Sequence, residues 1–238
     1  MQNRQYNVQQ DSKGMIARGS ATAPISASAT KVLRNTYTLL AMTLVFSAVM
    51  AGVSMSFGLS QGASLVCSLG ALALIWFVLP RTANSSAGIA VVFAFTGLLG
   101  LSLGPILLYY LQLSNGGQII MQALGGTGVV FFALSGYVLT TKKDFSFMRG
   151  MLVAGLVVVL VAALGSMVAA MFGVEITALS LAISAAIVFL MSGFILYDTS
   201  RIVNGGETNY IMATTGLYLN IYNLFLALLH LIGAFSND

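Results

Sequence analysis

The chain has 238 residues, of which 58% are hydrophobic and only 7% charged, with a formal net charge of +4. A soluble domain carries about 25% charged residues, so this composition excludes a single water-soluble core and points to a membrane protein. The ten Lys and Arg residues lie in tails and short loops and form no basic stripe, which excludes nucleic acid as a partner. Residues 1–30 are polar and rich in Ser, Ala, Thr and Gln, and read as a flexible tail rather than a cleavable signal peptide. The remainder, 31–238, reads as a transmembrane domain.

A helix needs roughly 20 apolar residues to cross ~30 Å of hydrocarbon. Seven stretches qualify: 36–57, 62–79 (ending at Pro80), 88–110, 118–140, 150–172, 177–198 and 212–235. The loops between them are too short to form domains, so the fold class is an all-α integral membrane protein, a seven-transmembrane-helix bundle. With seven spans, Arg4, Lys13, Arg18, Lys31, Arg34, Arg81, Lys142, Lys143, Arg149 and Arg201 all fall on one side. The positive-inside rule then places the N-terminus in the cytoplasm and the C-terminus outside. The other side carries Glu175 and Asp238.

Small residues recur within the spans: Gly97, Gly100 and Gly104 in the third, Gly125, Gly126 and Gly128 in the fourth, and Ser184, Ala185 and Ala186 in the sixth. Lipid gives helices no hydrophobic reason to associate, so these positions are expected to carry close helix packing. Pro105 follows Gly104 within the third span and is expected to kink it. Tyr109, Tyr110 and Trp76 lie at span ends and suit an aromatic belt, and Cys67 reads as a small buried hydrophobe.

Asp198 is the most informative residue. A carboxylate in or beside hydrocarbon is costly and is a functional clue by default. It ends the run ISAAIVFLMSGFILYD. The turn that follows carries Arg201, Gly205, Gly206 and Glu207, and Asn220 and Asn223 lie in the first half of the last span. Residues three apart share a helix face, so both asparagines are expected to face Asp198 across an antiparallel return. Such a carboxylate can titrate, hold helices together, or pair with Arg201 three residues on. The candidate pH-sensing or gating set is therefore Asp198, Asn220, Asn223, Glu207 and Arg201.

Catalysis is not expected. An aspartyl intramembrane protease needs a second membrane carboxylate, and only Glu207, in the loop, is near. Ser135 and Ser192 precede glycine but have none two residues before them, and His230, the one histidine, reads as a packing residue. One Cys and one His make no zinc site, and no phosphate or dinucleotide motif is present, so no cofactor or metal is expected.

The stretches KVLRNTYTLL, FAFTGLLGLSLGPIL, GGTGVVFFALSGYVLTTKKDFSF and ILYDTSRIVNGGETNYIMATTGLYLNIYNLF resemble the Bax inhibitor-1 (transmembrane Bax-inhibitor-motif) family, most closely its bacterial YccA-like branch. The resemblance spans 31–235 and implies a seven-helix bundle whose last helix is central. It implies an inner-membrane protein that modulates the ATP-dependent membrane protease FtsH and is probed by it as a substrate, with FtsH and its associated regulatory membrane proteins as candidate partners. Some bacterial members resemble pH-sensitive calcium leak channels built on paired aspartates. The first of that pair matches Asp198; the second falls at Asn220, where leak-type members have LYLD and this chain has LYLN. An Asp–Asn pair cannot share a proton between two carboxylates, which puts the leak mechanism second and the protease-modulator reading first.

Overall fold

The computed structural model describes residues 25–236 apart from Glu175. Among them seven helices are long and apolar enough to cross a membrane. They are α1 (Ala27–Phe57), α2 (Gln61–Thr82), α3 (Ala87–Leu111), α4 (Gly116–Thr141), α5 (Arg149–Met171, after a 3-10 turn Ser146–Met148), α6 (Thr177–Val203) and α7 (Tyr210–Phe235). Arg4, Lys13, Arg18, Glu175, Asp238 and residues 1–24 of the expected tail lie outside the described residues.

Helix ends follow local chemistry. The Ser26 side chain accepts from Ala29 N–H and starts α1 earlier than hydropathy alone suggests, so 27–30 are helical rather than tail. Gly58, at φ 59°, ends α1 in the left-handed region, and Ser60 then caps α2. Pro80 does not end the second span. A π-helical turn at Leu74–Val78 precedes it and the chain stays helical to Thr82. The π turn absorbs the proline's missing donor. Side chains take up nearby carbonyls: Arg81 donates to Phe77 O, and Thr82 Oγ1 to Val78 O. α3 likewise stays helical through Pro105.

α7 packs against α1, α3, α4 and α6 and is the central helix that the family resemblance implies. It shares the interior with α3, and α2 and α5 are peripheral, each packed on a single neighbouring span. Leu40, Phe95, Ile195, Leu217, Tyr218 and Leu224 centre the main core, and Tyr110, Ile119, Phe225 and Leu229 a second cluster.

The small-residue expectation divides. Gly97, Gly100 and Gly104 are closely approached by Phe46, Ser47 and Ser54 of α1. Gly125 and Gly128 have open space where a side chain would stand, and Gly126 meets only the end of Leu228. The aromatic belt divides too: Trp76 and Tyr109 are exposed, whereas Tyr110 turns inward against Gly233. Cys67 is free and half-buried rather than buried.

Candidate functional site at the basic end of α6 and α7

The loops joining α2 to α3, α4 to α5 and α6 to α7 meet at one end of the bundle, together with the start of α1. Side chains tie them together. Asn209 caps α7 by accepting from Ile211 and Met212 N–H, and its amide donates to Ala83 O (3.0 Å) and Asn84 Oδ1 (2.8 Å). Ser200 accepts from Phe145 N–H (2.9 Å) and donates to Lys143 O (3.2 Å). Every basic residue among the described ones stands at this end. A polar crevice of about 510 Å³ opens between the α2–α3 and α6–α7 loops, lined by Asn84, Ser86, Thr208 and Asn209.

Asp198 lies within α6 rather than at its end, because the helix continues to Val203. It is half-buried against α7, where Asn220 Nδ2 donates to its Oδ2 at 2.7 Å. Asn220 is itself 7% exposed. Gly216, one turn before Asn220, makes room for the carboxylate: a Cβ there would lie 3.2 Å from Oδ2. The glycine of TTGLYLN is a site residue that reading for polar side chains overlooks.

Two expected partners are elsewhere. Arg201 does not pair with Asp198. It reaches past the helix end to Glu207 (3.1 Å) and to Gly206 O, with its guanidinium over the Tyr197 ring. Glu207 also accepts from Asn209 N–H, so this pair organises the turn that starts α7. Asn223 does not face Asp198 either. Its amide donates to Leu219 O in its own helix (2.9 Å).

The structure thus brings Asp198, Asn220 and Gly216 together and places Arg201–Glu207 beside them as a separate latch. The Asp198–Asn220 bond clamps α6 to α7 through a charge-assisted hydrogen bond. Among the described residues no group of three or more His, Cys, Asp or Glu stands close enough to hold a metal. Farther along the same two helices, His230 Nδ1 and Ser184 Oγ lie 2.7 Å apart. His230 is therefore a packing residue with a specific polar partner, one that hydropathy does not reveal. Tyr218 bonds Ser47 of α1 (2.6 Å) and Tyr222 bonds Ser102 of α3 (3.0 Å), so one face of α7 is fastened by hydroxyls.

Residues 29–237, nearly the whole bundle, match the family described as Inhibitor of apoptosis-promoting Bax1. The chain belongs to the Bax inhibitor-1 family. An uncharacterized membrane protein of Vibrio cholerae is 52% identical over 208 residues, covering 87% of this chain and 91% of that one. The Escherichia coli protein named Modulator of FtsH protease YccA is 50% identical over 208 residues, 87% of this chain and 92% of its own length. A second Escherichia coli relative with the same identity and coverage is named Inner membrane protein YccA. The names of these Bax inhibitor-1 relatives are those of membrane proteins and of a modulator, not of enzymes.

Proposed function

We propose that this protein is an inner-membrane modulator, and a substrate, of the FtsH protease, and that it acts without catalysis of its own. The observation that carries this is 50% identity over 92% of the length of the relative named as that modulator. The arrangement fits the role. The basic end faces the cytoplasm by the positive-inside rule, with the N-terminus inside and the C-terminus in the periplasm. The polar segment 1–24 then precedes a firmly capped α1 and serves as the handle that the protease engages. Deleting residues 2–24 is expected to lengthen the protein's half-life severalfold in cells containing FtsH, and to abolish its effect on turnover of another FtsH membrane substrate. Unchanged half-life and unchanged inhibition in the deletion variant would overturn the handle. Substrate turnover indifferent to overproduction of the full chain would overturn the modulator itself.

A second reading, a calcium or other cation leak, is favoured by one observation: a carboxylate inside a span, beside a glycine that leaves it room. In this reading Asp198 and Asn220 form the gate between α6 and α7, Arg201–Glu207 latches its mouth, and Asn223 lies one turn deeper. Calcium flux into proteoliposomes at mildly acidic and mildly alkaline pH is the test. A leak that disappears in a folded Asp198→Asn variant supports it, and flux no greater than in empty liposomes removes it.

A further inference from the structure

α1 and α4 both pack on α7, but their backbones stay apart. A cleft of about 510 Å³ runs between them, floored by Tyr218, Ile221 and Phe225 of α7 and backed by Leu103 and Leu107 of α3. That volume is within the range of small-molecule and lipid sites. Its walls are almost wholly apolar. Along α1 it extends from Tyr37 to Met55, about 27 Å at 1.5 Å per residue, so its open side faces hydrocarbon across most of the bilayer.

One end of the cleft is chemically different. The Tyr37 and Phe131 rings meet across it with centroids 5.9 Å apart, which sets α1 and α4 in register there. The Tyr37 hydroxyl is buried and has no hydrogen-bond partner among the described residues. Arg34 lies one turn nearer the basic end on the neighbouring face of α1, Lys31 another turn beyond, and both are exposed. Lys143, past the end of α4, is turned away from the cleft, with its ammonium over the Tyr137 ring. The adjacent Asp144 is engaged by Ser146 N–H and Oγ.

We propose that this cleft is a binding site for an anionic glycerophospholipid of the leaflet at the basic end. An acyl chain lies between α1 and α4 on the floor of α7. The headgroup phosphate sits beside the exposed cations of Lys31 and Arg34 at the start of α1. Charge complementarity selects this occupant over a neutral apolar helix, because an apolar helix would gain nothing from the two exposed cations that α1 carries just beyond this end of the groove. The inference goes beyond the protease and leak readings and depends on neither.

The full chain, delipidated in mild detergent, is titrated with phosphatidylglycerol or phosphatidylcholine of identical chains and read by native mass spectrometry. The wild type is expected to retain phosphatidylglycerol preferentially. Lys31→Gln and Arg34→Gln are each expected to reduce that preference about fivefold. Gly128 lines the cleft and has nothing within 4 Å of where its Cβ would stand, so Gly128→Leu fills the cleft without a clash. It is expected to lose both lipids at unchanged helicity, and Leu124→Trp does the same from a second wall position. Equal retention of the two lipids by the wild type would overturn the headgroup assignment, and unchanged retention in both cleft-filling variants would overturn the site. Efficient crosslinking of Gly128→Cys to itself in a Cys67→Ala background would overturn the lipid in favour of a second copy.

Discussion

Gly100→Leu will separate α1 from α3 and cost on the order of 3 kcal/mol, enough to unfold much of the protein in detergent. The α1–α3 contact is the most extensive between any two helices of the bundle. At Gly100 a Cβ would press into the backbone oxygen of Ser47, and that atom cannot rotate away as a side chain can. Phe46 at Gly97 and Ser54 at Gly104 hold the same interface above and below, so the helices have no neighbouring register to slip into. Within a bilayer this close approach is itself the driving force, because lipid is as apolar as the side chains it would replace. Gly125→Leu provides the contrast. Nothing lies within 4 Å of its Cβ position, and the expected change is within about 0.5 kcal/mol. Thermal unfolding followed by helicity, in one detergent, compares the two. Similar losses in both variants would show that glycine is needed for something other than this interface.

These two glycines also mark the limit of sequence reasoning. Gly100 and Gly125 each sit within an apolar helix beside other small residues, and nothing local distinguishes them. Which one meets a neighbour depends on how the helix is rotated in the bundle, and spans that are apolar all round do not record their rotation. Span number and the shared basic end were legible because hydrocarbon thickness and loop charge impose them residue by residue. Pro80 misled because a proline signals a helix end only when the turn before it cannot adapt, and here a π-helical turn at Leu74–Val78 carries the helix through to Thr82. At the site, Asp198 and Asn220 could be matched by their positions on antiparallel helices. Arg201 and Asn223 could not, because each found a closer partner, one in the following turn and one in its own backbone. Gly216 was invisible for a simpler reason: it contributes the space that the carboxylate occupies.

Asn220→Leu and Asp198→Asn remove opposite halves of the same contact and will have unequal consequences. Leucine at 220 leaves the Asp198 carboxylate facing an apolar side chain, deprived of the 2.7 Å donor. Arg201 cannot replace that donor without giving up Glu207. Stranding a group of this kind costs about 1–3 kcal/mol, and more if it stays charged, so Asn220→Leu is expected to lose about 3 kcal/mol. Asp198→Asn keeps the shape and retains an oxygen that accepts from Asn220, and is expected to stay within about 1 kcal/mol of the wild type. The comparison is made by thermal unfolding of the purified full-length protein, with Asn220→Ser as a smaller polar replacement that partly restores the bond. Equal losses for Asn220→Leu and Asp198→Asn would show that the negative charge itself, rather than the hydrogen bond, holds α6 to α7. The predicted inequality has a practical consequence. It makes Asp198→Asn a folded protein with the carboxylate removed, so any change in ion flux or protease modulation in that variant reports the chemistry of Asp198 rather than a collapsed bundle.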